Sequence, residues 1–242
     1  MVIVVLDAGS MEAMEKSKRI LMPMRSDERL AQKIASDVLS RYAVSSVLDV
    51  GCGDGVVGRQ LPAEVEYRGL DISDACIYEQ DSGNASIQYI RADQIPDLMQ
   101  KEGPWDMILL LDVIEHTRSF TGLFEKALES ASKYVVVSLP NELFFFDRLR
   151  MLFGSELNAH SLDLLGKPDG FKHQYIINIR KARKILDNSA ISYGFTTKEE
   201  ISRPLVAKKL WQRPISKAMP YLIGAEAWSM GSVFVFERNH SQ

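Results

Sequence analysis

Three aspartates and a run of glycines are spaced as if for one ligand. Asp49 lies in "VLDVGCGDGVVG" (Val47–Gly58), Asp71 in "YRGLDIS" and Asp93 in "YIRADQIP". Each ends or follows a short apolar run. A carboxylate at Asp71 can accept from two vicinal ribose hydroxyls. One at Asp93 can accept from an adenine amino group, and Asp49 can orient the glycine loop or hold an ammonium group through water. A fourth residue, His116 in "DVIEHT", could move a proton. An unperturbed imidazole titrates near pH ~6.5, and a weakly acidic hydroxyl nucleophile needs a base or a metal. The alternative for His116 is to hydrogen-bond backbone and shape the pocket.

The glycines fit two frames. Gly53–Gly58, "GDGVVG", matches the G-x-G-x-x-G dinucleotide fingerprint; Asp49–Gly55, "DVGCGDG", matches acid-x-Gly-x-Gly-x-Gly. In the dinucleotide fingerprint the first glycine closely follows the strand. Taking Gly53 as that glycine leaves "LDVGC" as a long, acidic lead-in that would repel a pyrophosphate. In the second frame Gly51 ends the strand directly. That frame suits S-adenosyl-L-methionine, which has no phosphate and carries a sulfonium and an ammonium group.

The elements that must position these residues follow from periodicity. Apolar runs at Ser46–Val50, Tyr67–Leu70, Ile87–Ile90, Met107–Leu111 and Tyr134–Leu139 read as strands buried on both faces. Helices are expected at Val56–Leu61, Asp74–Gln80 and Phe120–Ser132. Upstream, Ser26 can cap a helix carrying Leu30, Ile34 and Val38 on one face. Strands alternating with helices imply β-α-β units and a doubly wound, mostly parallel α/β sheet with helices on both faces. After Pro140 the rhythm breaks. Asn141–Phe153, "NELFFFDRLRMLF", reads as a helix capped by Asn141, stopped at Gly154 and apolar enough all round to be covered. Ser155–Lys172 reads as a loop and Asn178–Asn188 as a second capped helix. Phe195–Arg203 and Ser232–Arg238 read as the last two strands, with a helical hairpin from Pro204 to Leu222. Residues 1–25 are expected to be an N-terminal extension and 26–242 one domain, with 141–175 as an insertion or lid over the sheet's carboxyl edge.

Composition sets bounds. The chain has 242 residues, is 46% hydrophobic and 25% charged, and carries a formal net charge of −3. That suits one α/β domain with an insertion, or one large and one small domain, with a full core, and predicts no broad affinity for nucleic acid or anionic lipid. The two cysteines, Cys52 and Cys76, have no metal-ligand spacing and point to a reduced, cytoplasmic setting. No apolar run approaches the ~20 residues needed to span a bilayer, and "MVIVVLDAGS" makes a poor signal peptide.

In order, "VLDVGCGDG", "GLDIS", "IRADQIP" and "WDMILLLDVIEHT" resemble the successive motifs of the class I S-adenosylmethionine-dependent methyltransferases. The resemblance covers roughly Val47–Pro140. The later "SLPN", "HQY" and "ISYGF" are more weakly similar to a subgroup that includes ubiquinone-biosynthesis O-methyltransferases and relatives from surface-polysaccharide gene clusters. The resemblance implies a seven-stranded sheet of order 3-2-1-4-5-7-6 with the last strand antiparallel. It implies that Asp49, Gly51 and Gly53 shape the methionine side of the pocket and that Asp71 takes the ribose hydroxyls. Ile72 would pack beside adenine, Ala92 and Asp93 would meet its edge, and Leu111 would offer backbone. The cofactor would be S-adenosyl-L-methionine, with S-adenosyl-L-homocysteine as product.

Among the remaining candidates, Glu115 reads as a helix-start acid or loop anchor. His173 either faces the acceptor or packs, His160 sits in a loop, and Cys52 reads as an inert filler. No two-His-one-acid or cysteine spacing argues for a metal. Ile201–Lys217 holds Arg203, Lys208, Lys209, Arg213 and Lys217 with Trp211 and no acid. It reads as a solvated face, or as a patch for an anionic acceptor or peripheral membrane contact. The expected activity is methyl transfer to a small-molecule or glycan-precursor acceptor, by preference at oxygen. Two alternatives stay open: an NAD(P)-dependent oxidoreductase, and a cofactor-binding module without catalysis. The acidic chain and the absence of a base-flipping Asn/Asp-Pro-Pro-Tyr motif weigh against a nucleic-acid substrate. Oligomeric state is open.

Overall fold

The computed structural model describes residues 33, 37–53, 55–72, 85–164, 172–204 and 212–239. Seven strands form one sheet of order β3-β2-β1-β4-β5-β7-β6. They are β1 (Ser46–Val50), β2 (Glu66–Asp71), β3 (Ala85–Tyr89), β4 (Trp105–Leu111), β5 (Ala131–Pro140), β6 (Phe195–Pro204) and β7 (Ser229–Arg238). The pairings from β3 to β5 are parallel, and β7 runs antiparallel to both β5 and β6. The helices are α1 (Ile95–Glu102), α2 (Gly122–Ser130), α3 (Phe145–Leu152), α4 (Ile179–Ser192) and α5 (Gln212–Ile223). Order and direction agree with the sequence expectation for the doubly wound sheet.

The continuous apolar strands bury both faces, as a parallel sheet covered on both sides requires. On one face Leu48, Val50, Leu70, Ile108, Leu110, Val135 and Val137 pack with Met99 of α1, Phe124 and Leu128 of α2, and Leu186 and Ala190 of α4. On the other, Val47, Tyr67, Met107, Leu109, Val136, Val233 and Val235 pack with Val38, Leu39 and Val57. Alternate residues of β1 and β4 thus feed opposite cores.

Several expectations need correction. Val56–Leu61 forms turns and a short 3-10 segment, Gly58–Gln60, rather than an α-helix. Gly58 sits against the Tyr67 ring, 2.5 Å from where a Cβ would stand, and Pro62 follows. The unforeseen α1 starts with proline at its first turn, a position proline favours. The helix after β5 begins at Phe145, not Asn141. Asn141 instead closes the sheet: its Nδ2 donates to Glu226 O and Ser229 O, and its Oδ1 accepts from the Leu143 amide. No residue of α3 is fully buried, and Leu152 and the adjacent Phe153 are 76% and 80% exposed, so this helix is less covered than its composition predicts. Gly154 (φ +77) does stop it, and Asn178 caps α4 by accepting from the Lys181 amide. Of the helical hairpin, α5 is present and residues 205–211 lie outside the described residues. The same holds for residues 1–25, the Ser26 cap, Cys76 and the Asp74–Gln80 helix.

Candidate active site

The strand register sets the site. Val50 pairs with Leu70 and Leu110, and Asp71 with Tyr89, so the carboxyl ends of β1 to β4 share one rim. The chain leaves β1 through Gly51 (φ +73), Gly53 (φ +56) and Gly55 (φ +70), a conformation that costs an L-residue ~1–2 kcal/mol. At Gly51 a Cβ would also stand 2.4 Å from Val113 Cγ2, whereas at Gly53 no atom of the described residues lies within 4 Å. The bend is therefore open on the Gly53 side. Both Gly51 N and Cys52 N donate to Leu70 O, and Gly53 N donates to Asp71 Oδ2 at 2.8 Å. Cys52 is a buried thiol packed against Gly69, consistent with a filler.

The acids differ in environment. Asp49 is buried and accepts from Tyr67 Oη at 2.8 Å, while its Oδ1 has no hydrogen-bond partner. Burial, and secondarily the charge of Asp71, pushes the Asp49 carboxyl up to about 7 against the pull of the Tyr67 bond. Asp71 is 8% exposed, and the next residue, Ile72, is 41% exposed at the rim. Ala92 and Asp93 sit in the 3-10 turn after β3. The Asp93 carboxylate is gripped by Arg91 Nε at 3.0 Å and Nη2 at 2.8 Å, both side chains exposed. Leu111 ends β4 beside Ser138. The next residue, Asp112, has φ 53. Its Oδ1 accepts from Ser138 Oγ at 2.7 Å and from the buried Arg203 Nη1 at 2.6 Å. Arg203 thus belongs to the core of this edge, not to a solvated basic face. Of the rest of that patch, Lys217 is exposed and Lys208, Lys209 and Trp211 lie outside the described residues.

Beyond β4 the fold assembles a cluster whose members no local spacing connects. Glu115 and His116, in the 3-10 turn Ile114–His116, meet His173. One ligand atom from each of the three lies within 4.8 Å of the others, and Glu142, His160 and His173 form a second such group. Three of the chain's four histidines are gathered here. The His116 and His173 rings meet edge to face with centroids 4.6 Å apart. The ring nitrogens are already directed. His116 Nδ1 faces the Lys172 carbonyl at 3.3 Å and His173 Nδ1 faces Glu142 Oε1 at 2.7 Å. Both partners only accept, so each Nδ1 carries a proton, and a lone pair on the neutral ring is then at Nε2. Burial, then the neighbouring His173, lowers His116 to about 4, so it is neutral at neutral pH.

Glu115 is fully buried, and among the described residues neither carboxylate oxygen has a side-chain hydrogen-bond partner. Burial, with the charge of Asp112, raises its pKa well above the carboxylate range. Buried polar groups are nearly always paired. A carboxylate with no described side-chain partner, grouped with two imidazoles, matches the donor set of a divalent cation that takes mixed N and O ligands. No sequence spacing pointed to this grouping, because its members come from residues 115–116 and 173, too far apart in the chain to form a motif. Glu142 carried no signal in the sequence beyond lying next to Asn141.

A family model for a methyltransferase domain matches residues 24–187. Solved structures with the same fold include magnesium protoporphyrin IX methyltransferase from Synechocystis PCC 6803 with bound SAH (13% identity, 94% of this chain and 95% of that chain, TM-score 0.56). The small RNA methyltransferase HEN1 matches at 16% identity over 91% of this chain and 27% of that chain, TM-score 0.60. A cyclopropane-fatty-acyl-phospholipid synthase-like protein from Lactobacillus casei ATCC 334 matches at 12% identity over 93% and 98%, TM-score 0.51. No curated protein matches the sequence. Such distant structural likeness bears on the fold alone, and it agrees with the strand order and the extent of the sequence match. The chain belongs to the methyltransferase-domain family, the class I S-adenosylmethionine-dependent methyltransferases.

Proposed function

We propose that this protein transfers a methyl group from S-adenosyl-L-methionine to an oxygen of a small-molecule or glycan-precursor acceptor, with a divalent cation held by Glu115, His116 and His173. The observation that carries the reading is Glu115: a buried carboxyl with no side-chain partner among the described residues for either oxygen, at the carboxyl edge of β4, grouped with two histidines whose Nδ1 atoms are already committed.

When bound, the cofactor supplies an electrophilic methyl on a sulfonium. The glycine bend would give it backbone access at Gly53, where no side chain of the described residues fills the space. Asp71 would take the ribose hydroxyls and Ile72, at the exposed rim, would cover one face of adenine. Ala92 and Asp93 would meet the adenine edge. Asp93 would then give up part of its pairing with Arg91, an exposed ion pair worth about 0–1 kcal/mol. Leu111 would present backbone, and Asp49, buried behind the bend, would stabilise the loop and the ammonium end.

Methyl transfer is an in-line displacement, so the chain's task is chiefly alignment. A divalent cation held by Glu115, His116 and His173 would lower the pKa of a hydroxyl bound there. His116 at pKa about 4 is a weak proton acceptor by itself. Its neutral lone pair is better used in holding the cation, which changes its role from base to ligand. Residues 141–175 contribute Glu142, His160 and His173 to the same edge, which supports their reading as an insertion that closes the acceptor side. The formal net charge of −3 favours a small acceptor over a polynucleotide. Among the described residues no helix is long and apolar enough to cross a membrane.

The test is calorimetry on chelator-treated protein. S-adenosyl-L-homocysteine and Mn²⁺ should each bind about one per chain, and His116→Ala should abolish the Mn²⁺ heat while leaving the homocysteine ligand within about threefold. Absence of both heats from folded protein would refute the proposal. Binding of the nucleoside without any cation would refute its metal part.

A further inference from the structure

Glu142 stands behind the Glu115 group, and both of its carboxylate oxygens are hydrogen-bonded. Its Oε1 accepts from His173 Nδ1 at 2.7 Å and from His160 Nε2 at 2.8 Å; its Oε2 accepts from the Ile177 amide at 2.7 Å. Its backbone amide donates to Ile177 O. The same region is tied twice more: His173 N donates to Ala159 O at 3.1 Å and Gln174 N donates to Glu115 O at 2.8 Å. One carboxylate thereby joins the start of the 141–175 segment, its middle at His160, and its end.

Glu115 is the opposite case, with no side-chain partner for either oxygen among the described residues. The two groups of potential ligands share His173, and this contrast separates them. The group whose carboxylate lacks a side-chain partner is the one that needs a cation. The group whose carboxylate is hydrogen-bonded is the support.

We infer that Glu142 is a positioning residue: it sets the tautomer and direction of the His173 ring so that Nε2 faces Glu115 and His116, and it latches the His160 segment to the same point. The inference rests on the cation reading of the site. Outer-shell carboxylates of this kind fix the orientation and basicity of the histidine in front of them, and their loss typically costs ~10–100-fold in metal affinity. His160 shares the carboxylate and is grouped with Glu142 and His173 rather than with Glu115 and His116, so it belongs to the latch.

The experiment uses the full chain with Mn²⁺ alone, then with Co²⁺ as a spectroscopic probe. Glu142→Gln is expected to weaken Mn²⁺ binding ~10–100-fold and to change the Co²⁺ visible spectrum. Affinity for S-adenosyl-L-homocysteine should stay within about threefold, which reports an intact sheet. His160→Gln is expected to stay within about threefold for Mn²⁺. Unchanged Mn²⁺ affinity in Glu142→Gln overturns the inference. So does an equal loss in His160→Gln, because it would put the cation on Glu142 and His160 directly. A wild-type chain that binds no Mn²⁺ sinks the cation reading instead. Long-range ¹H–¹⁵N spectra of the wild type then decide the role of Glu142, and do so even if Glu142→Gln does not fold. His173, identified by its loss in His173→Gln, should be the Nδ1–H tautomer, and an Nε2–H tautomer contradicts the inference.

Discussion

The amide of Gly53 donates to Asp71 Oδ2 at 2.8 Å, so the bend that ends β1 and the acid that ends β2 form one unit. Removing either partner should disturb the other. Asp71→Ala should therefore weaken S-adenosyl-L-homocysteine binding by about 1–3 kcal/mol, the range for lost charge-assisted hydrogen bonds. Calorimetric titration checks this, and an unchanged affinity contradicts the ribose assignment.

Gly53→Ala separates binding from stability. Among the described residues no atom lies within 4 Å of a Cβ at this position, so the penalty to the fold is that of the positive φ, ~1–2 kcal/mol. Nucleoside affinity should fall much further, by about tenfold or more, because the methyl group would stand in the space the ligand needs. Paired urea melts and ligand titrations would show the split. A variant that loses stability and keeps affinity contradicts the placement.

Asp49 carries a signed pH dependence. Its folded pKa of about 7 exceeds the ordinary value of 3.8, so the folded state holds its proton more tightly than the unfolded one. Stability from this group is full below pH about 4 and is lost as pH rises to about 7. Asp49→Asn keeps an acceptor for the Tyr67 hydroxyl and removes the titration. The variant should gain on wild type by a few kcal/mol between pH about 4 and about 8, since each tenfold difference in proton affinity between the folded and unfolded states is worth about 1.4 kcal/mol. Melting temperatures across that range measure it, and a constant difference would rule the effect out.

Arg203→Met should be among the more damaging changes at this edge. The guanidinium is 3% exposed and bonds to Asp112 Oδ1 and Ser138 Oγ. Breaking a buried pair by removing one partner costs about 3–5 kcal/mol, and the partial exposure of Asp112 favours the lower end. Chemical denaturation would report it; a change below about 1 kcal/mol would mean the network carries little.

Much of the sheet was legible because its strands are short, apolar and punctuated by glycine or an acid. Ser46–Val50 has the bounds expected for it, and the other strands differ only at their ends. The glycine frame was legible because Gly51 directly ends β1. What periodicity could not supply was contact between distant segments. Glu142 read as part of a helix cap region, yet it lies in an irregular link between β5 and α3 and receives two histidines from 18 and 31 residues away. Arg203 read as surface because its neighbours in sequence are basic; its partner Asp112 is 91 residues distant. Asn141 had the right residue type for a cap, but the start of β7 offered its amide better-placed carbonyls.

The most direct measurement is a crystal structure with S-adenosyl-L-homocysteine and Mn²⁺. The adenosine should lie along the rim with its ribose on Asp71 and its base near Ile72, Ala92 and Asp93. Its sulfur should point toward an Mn²⁺ anomalous peak at Glu115, His116 and His173. Nucleoside density away from the Gly53 bend would contradict the account.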